Sequence, residues 1–158
     1  MQSIFRPRVE ARLIHQSRSG FTLLELLIVL AIIAVIAAMV VPRFLAQQQG
    51  ANIKLSRTAI MHLQSALEYY AVDHDAVMPP GNQEALSLLL KPTDKEGKPM
   101  KPYFEKIPRD AWGEQLFYEY PNTKVPDTDR PAIWSSGPNR KNENGEGDDV
   151  NNWKDLGK

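Results

Sequence analysis

The chain has no cysteine among its 158 residues. Disulfides cannot staple it, and thiol chemistry, whether nucleophilic, redox or metal-binding, is excluded. Histidine is also scarce: His15, His62 and His74 stand too far apart to share the spacing of a metal site. Asp73-His74-Asp75 could orient an imidazole, yet no nucleophile lies nearby in sequence; the other reading is a solvated helix end. There is no G-x-S-x-G elbow and no phosphate-cradling P-loop. No enzyme class is therefore indicated. A basic excess is missing too, since the formal net charge is zero. That argues against nucleic acid as a partner, because nucleic-acid-binding domains usually carry a strong positive balance.

The charges that are present are unevenly placed. Residues 1–20 hold Arg6, Arg8, Arg12 and Arg18 against Glu10 alone, which leaves residues 21–158 at net −3. A basic start, an apolar run and a mildly acidic body predict a leader in the cytoplasm and a body across the membrane. The apolar run from Phe21 to Val41 is long enough, at ~1.5 Å per residue, to cross a hydrocarbon core of ~30 Å. Length alone admits two readings, a retained anchor or a signal cleaved near Ala34, Ala37 and Ala38. Glu25 interrupts the run. An unpaired carboxylate in hydrocarbon costs at least a few kcal/mol, so its presence marks a function and predicts a cationic partner.

The helical pattern continues past the membrane. Ile53, Ile60, Leu63, Leu67 and Tyr70, with Ala59 and Ala66, recur at the three/four spacing of an amphipathic helix. One near-continuous helix from Phe21 to about Val72, ~78 Å long, is expected, its second half packing one face on a globular head. Pro42 has no N–H to offer the Ala38 carbonyl, and Gln47-Gln48-Gln49-Gly50 follows.

Arg18-Ser19-Gly20-Phe21-Thr22-Leu23-Leu24-Glu25 resembles the class III signal of type IV pilins and pseudopilins. The resemblance implies cleavage after Gly20 by a prepilin peptidase, N-methylation of Phe21, a leader left in the cytoplasm and a retained apolar helix. It also implies that Glu25 pairs with the N-terminal ammonium of a neighbouring subunit. An α-amine is cationic at neutral pH, and the two charges would offset much of each other's desolvation. The pair therefore rewards correct register in a homo-oligomeric filament. Pro42 then has two readings, a simple kink or a segment that melts when subunits enter a filament.

Beyond Val72 the chain changes texture. Pro79-Pro80-Gly81 breaks it; Glu84 to Leu90 predicts a short helix, capped by Asn82, with Leu86, Leu89 and Leu90 inward and Lys91-Pro92 ending it. Residues 92–102 read as an exposed loop. Leu116 to Tyr120 and Ala132 to Ser135 have strand composition and predict a hairpin with a long connection from Pro121 to Pro131. Trp112, Trp134 and Trp153 are expected in the head core, and Gly113 at a turn. The expected fold is α+β: a long N-terminal helix, membrane-spanning in its first half and amphipathic in its second, packed on a small antiparallel sheet. Four segments are expected: leader 1–20, membrane or filament-core helix 21–41, amphipathic continuation 42–72 and a head from 73 to 158.

Three head segments narrow the resemblance. Met78-Pro79 with Asn82-Gln83-Glu84-Ala85-Leu86, then Ile107-Pro108-Arg109-Asp110-Ala111-Trp112-Gly113, then Ser135-Ser136-Gly137-Pro138-Asn139 with Gly147-Asp148-Asp149-Val150-Asn151-Asn152-Trp153, are similar to the major pseudopilins of type II secretion systems and occur in that family's order. Departures are Pro80 and Gly81, Ala111 in place of proline, Asn139 in place of aspartate, and a loop about two residues longer. The resemblance implies a subunit of a periplasmic pseudopilus that drives secretion of folded proteins across the outer membrane. It further implies a single-pass inner-membrane precursor extracted into the filament, with minor pseudopilins, the prepilin peptidase and an inner-membrane assembly platform as partners. A type IV pilin for adhesion, motility or DNA uptake is the alternative; the cysteine-free acidic loop and the absence of a basic head argue against it.

That loop offers Asn139, Asn142, Glu143, Asn144, Glu146, Asp148 and Asp149, with Gly145 and Gly147 between them. Residue types and spacing allow either a solvated turn or a set of hard oxygen ligands, and the spacing is not that of an EF-hand. The family resemblance implies calcium, held by Asn139 and Asp148 with the carbonyls of Ser136, Glu146 and Val150, and with Asp149 as a helper.

Overall fold

The computed structural model describes residues 20–154. The expectations for the arginines of the leader and for His15 lie outside the described residues. The chain divides into two compact units at Val41/Pro42, and each is described by itself. Helical backbone is assigned to Leu23–Asp73, here α1, with Pro42 inside it.

In the first unit, helix formation follows from a run of aliphatic residues preceded by an N-cap. Thr22 Oγ1 accepts the Glu25 N–H at 3.1 Å, and the Thr22 carbonyl accepts the Leu26 N–H at 3.2 Å. Thr22-x-x-Glu25 is the sequence pattern of a capping box, and the carboxylate also sits favourably against the positive end of the helix dipole. Leucine, isoleucine and valine side chains from Leu23 to Val41 are all exposed. The helix contains an 18-residue window of mean hydropathy 3.1, long and apolar enough to cross a membrane.

In the second unit, one face of α1 is the floor of the core. Ile60, Leu63 and Leu67 are buried against Leu86, Leu89, Leu116, Tyr118, Ile133 and Val150, and Ile53, Ala59 and Tyr70 pack at the edge. Fully buried Ser56 lies on the same side and accepts the Ala111 N–H at 3.0 Å.

The roof is a four-stranded antiparallel sheet in the order β1-β2-β3-β4: Gly81–Asn82, Phe117–Tyr120, Ala132–Ser135 and Val150–Asn151. Tyr118 pairs with Ile133, both pointing into the core, and Phe117 pairs with Trp134. Phe117 and Trp134 stack with centroids 5.3 Å apart, and Trp153 meets Trp134 edge-on at 6.0 Å. Trp153 thus helps cover the other face of β3, which is why all four of its residues are buried where a one-sided strand would alternate. Trp134 is buried, while Trp112 and Trp153 are half-buried.

Three expectations are corrected. The short helix is a 3-10 helix, Gln83–Leu89, and Asn82 makes no side-chain cap bond. Asn82 does stand at the N-cap position with the extended backbone usual there, and it also pairs with Glu119 as part of β1. Leu86 and Leu89 are buried as expected, but Leu90 is only half-buried, because the 3-10 helix has three residues per turn and stacks 86 over 89. The 92–102 loop is not wholly exposed, since Pro92 is fully buried. The two-residue strands β1 and β4 carry too little sequence to announce themselves; only pairing with β2 and β3 defines them.

Candidate functional site

Two regions carry the residues singled out by sequence, one in each unit. In the first, Gly20 and Phe21 precede the helix and are exposed, Phe21 by 84%. The scissile bond expected between them is therefore open to an enzyme. Glu25 is exposed within the apolar surface, and among the described residues no cation meets its carboxylate. Pro42 lies where the two units divide.

In the second unit the acidic loop closes the head between β3 and β4. Ser135 pairs with Val150, which brings the two ends of the loop together. Gly137, at φ +62, lets the chain turn back against itself: a Cβ there would stand 2.2 Å from the Asp148 carbonyl oxygen. Asn144 and Gly145, at φ 59 and 83, fold the middle of the loop inward.

This folding gathers three carboxylates. Glu143, Asp148 and Asp149 each offer an oxygen, all within 4.8 Å of one another. Asp149 is 6% exposed; its Oδ2 accepts the N–H groups of Glu143 at 3.0 Å and Gly145 at 2.8 Å. Its Oδ1 is buried and has no hydrogen-bond partner. Burial raises the Asp149 pKa above the ordinary carboxylate value; the two backbone N–H bonds oppose the rise, and the nearby charges of Glu143 and Asp148 add to it. A buried carboxylate oxygen with nothing to bind, beside two further carboxylates, is the arrangement that a cation relieves. All-oxygen donors without histidine or thiol suit a hard cation. The cluster could hold a metal ion.

The remaining expected ligands are distributed as follows. Asn139 donates its backbone N–H to Asp148 Oδ2 at 3.0 Å and its side-chain amide to Asp148 Oδ1, while its own Oδ1 accepts the Lys141 N–H at 2.6 Å. The Glu146 carbonyl accepts the Asp149 N–H at 2.9 Å, and its side chain reaches Lys154 at 3.8 Å, outside the carboxylate cluster. Val150 is one member of the Ser135–Val150 pair and Ser136 follows the other, both buried. Glu143 is the residue that the implied ligand set omits. Its Oε2 accepts the Asp148 N–H at 3.2 Å. Its only sequence signal is membership of the oxygen-rich loop, and the turn at Asn144-Gly145 is what brings it in.

A second buried carboxylate holds the 107–113 segment. Asp110 Oδ1 accepts the N–H groups of Trp112 at 3.0 Å and Glu114 at 2.8 Å, and Oδ2 accepts the Ser135 hydroxyl at 2.6 Å. With the Ser56–Ala111 bond, this turn ties the α1 face to β3. Its acceptor capacity is taken up internally, so its role is structural.

Comparison with known proteins covers both regions. The chain matches the family model described as Type II secretion system (T2SS), protein G, over residues 43–153, and the prokaryotic N-terminal methylation motif over residues 15–41. It is 31% identical over 144 residues to type II secretion system core protein G of Pseudomonas aeruginosa, covering 88% of this chain and 97% of that one. The protein of the same name from Escherichia coli is 32% identical over 142 residues, covering 85% and 90%. The fold is similar to the crystal structure of the major pseudopilin from the type 2 secretion system of enterohaemorrhagic Escherichia coli, with a TM-score of 0.53 at 24% identity over 73% of this chain and 97% of that chain.

Proposed function

The chain belongs to the type II secretion system protein G family, and from that premise we propose that it is the repeating structural subunit of a periplasmic pseudopilus. The observation that carries this reading is the tandem match: a processing motif over residues 15–41 followed at once by the protein G head over 43–153. The precursor is anchored in the inner membrane by the apolar helix with its head in the periplasm. Cleavage after Gly20 and methylation of Phe21 by the prepilin peptidase release a subunit that enters the filament through the assembly platform, joined by minor pseudopilins. The filament pushes folded proteins through the outer membrane. We assign no catalytic role to it.

Glu25 supports this reading chemically. Cleavage creates an ammonium at Phe21, and a neighbouring subunit supplies the geometry for Glu25 to meet it. Pairing compensates charge that the apolar core would otherwise leave buried, so it selects register more than it adds stability. The test is to express the full chain with its processing enzyme and image the filaments. Mass spectrometry should show a mature chain beginning at methylated Phe21. Glu25→Ala should still be cleaved but should not assemble, and a strain lacking the chain should stop exporting its folded secreted proteins. Normal filaments from Glu25→Ala would contradict the pairing role.

The loop's ion is calcium in this reading. Asp148, Asp149 and Glu143 supply the charge, and Asn139 with the carbonyls of Ser136, Glu146 and Val150 completes the oxygen set. Bound calcium would neutralise the crowded carboxylates and clasp the loop in a chain without disulfides. Calcium should raise the melting temperature of the head relative to chelator, and Asp148→Ala should remove the gain. Superimposable melts in both conditions would reject calcium binding and leave the filament reading standing.

A further inference from the structure

Three carboxylates meet in the loop between β3 and β4, each offering an oxygen within 4.8 Å of the others. Asp148 and Asp149 arrive together as chain neighbours. Glu143 arrives from across the turn at Asn144-Gly145, and its backbone and side chain are both fixed on the aspartate pair. Its N–H donates to Asp149 Oδ2 at 3.0 Å, and its Oε2 accepts the Asp148 N–H at 3.2 Å. The loop's other candidates add no charge here. Asn139 gives two N–H groups to Asp148, and Glu146 turns to Lys154 at 3.8 Å. Without Glu143, two charges would face a divalent cation; with it, three.

Gly147 is what lets Glu143 in. A Cβ at Gly147 would overlap Glu143 Oε2 and stand 2.6 Å from its carboxyl carbon. The backbone angle does not by itself demand glycine. Its φ is +52, and Asp127 at 55, Arg140 at 58 and Asn144 at 59 hold the same region with side chains attached. What distinguishes Gly147 is the carboxylate lying over it. Asp149 marks the place of a cation independently: it is 6% exposed, and its Oδ1 is buried with no hydrogen-bond partner.

We propose that Glu143 and Gly147 together set the loop's affinity for calcium, Glu143 as the ligand that raises the charge of the site and Gly147 as the positioning residue that leaves it room. This role rests on the calcium reading above. Oxygen sites tune their hold on calcium by the number of charged ligands and by the rigidity of the frame. Glu143 brings the charge, and the bonds at its two ends bring the rigidity. Three like charges this close repel when no cation lies between them, and a cation turns that repulsion into attraction. Glu143 therefore weakens the calcium-free loop and strengthens the loaded one, a reversal that a purely structural glutamate would not give.

The test measures calcium binding to the full chain in detergent micelles by titration calorimetry, with melts followed by tryptophan fluorescence in calcium and in chelator. Glu143→Gln keeps an oxygen to accept the Asp148 N–H and loses the charge. It should weaken calcium binding at least about tenfold, a loss seen even for residues that only support a metal ligand, and should melt no lower than the parent in chelator. Gly147→Ala should weaken binding by a similar factor in the parent and have little further effect in a Glu143→Ala background, where nothing lies over the new Cβ. Equal factors in the two backgrounds would mean that Gly147 serves its backbone angle alone, and would overturn its role. A smaller loss in Glu143→Gln while the parent binds calcium, or a Glu143→Gln melt lowered equally in calcium and in chelator, would overturn Glu143 as the affinity-setting ligand and leave the calcium reading standing. No calcium binding by the parent would overturn both.

Discussion

Replacing Asp110 with alanine would leave three donors without their one acceptor at once. The residue is 6% exposed, and it accepts the N–H groups of Trp112 and Glu114 and the hydroxyl of Ser135. Bonds to a charged acceptor are each worth about 1.5–3 kcal/mol net, and they share one group, so they do not simply add. A loss of about 3–5 kcal/mol is expected. That is a large share of the roughly 5–15 kcal/mol that holds a domain together. Asp110→Asn separates charge from geometry. Its remaining oxygen can still accept both backbone N–H groups, and Ser135 Oγ, which accepts the Gly137 N–H at 3.1 Å, can turn to accept from the new amide. That variant should lose only about 1 kcal/mol. Denaturant titration of the full chain in micelles, followed by tryptophan fluorescence, reads the head alone, because Trp112, Trp134 and Trp153 all lie there. A shift under about 1 kcal/mol for Asp110→Ala, or equal damage from the two variants, would refute the view that this carboxylate staples the turn to the sheet.

Three further outcomes are expected. Gly145→Ala should lose at least about 2 kcal/mol and shift tryptophan fluorescence, because φ is +83 and the new Cβ would stand 2.2 Å from the Trp153 ring; an unchanged spectrum and midpoint would contradict this. Tyr118→Phe should cost about 1–2 kcal/mol in the same titration, since the buried Pro79 carbonyl loses its 2.7 Å donor; a neutral result would mean water replaces the hydroxyl. Burial alone would raise the Glu119 pKa, but the Thr123 hydroxyl and Lys124 outweigh it and hold it below the ordinary value. Its contribution, under about 1 kcal/mol, should therefore be present above pH ~4.5 and fade as pH falls through the lowered value, and Glu119→Gln should flatten that part of the stability curve.

Much of this protein is written locally. The apolar run, the Glu25 interruption and the Gly20-Phe21 junction are contiguous, so one stretch of sequence carries them. The α1 face that includes Ile60, Leu63 and Leu67 was legible because a helix repeats its contacts every three to four residues. The β2–β3 hairpin was legible because strands of four residues still hold aromatic and β-branched side chains in a row. Asn82 was legible as the cap position, but its pairing with Glu119, a residue far along the chain, and the absence of a side-chain cap bond were not.

By itself, then, the sequence determined the membrane-length helix, the motif at its start, the amphipathic stripe and the identity of the family. Tertiary structure decided the rest, for a physical reason common to each case: the decisive partner is remote. Glu143 joins Asp148 and Asp149 only after Asn144-Gly145 turns inward and Ser135 pairs with Val150. Asp110 becomes a staple only when Ser135 arrives from β3. His74, which reads in sequence as a solvated helix end, has the Tyr70 carbonyl one turn back and meets a second carbonyl only when Thr93 folds back onto it.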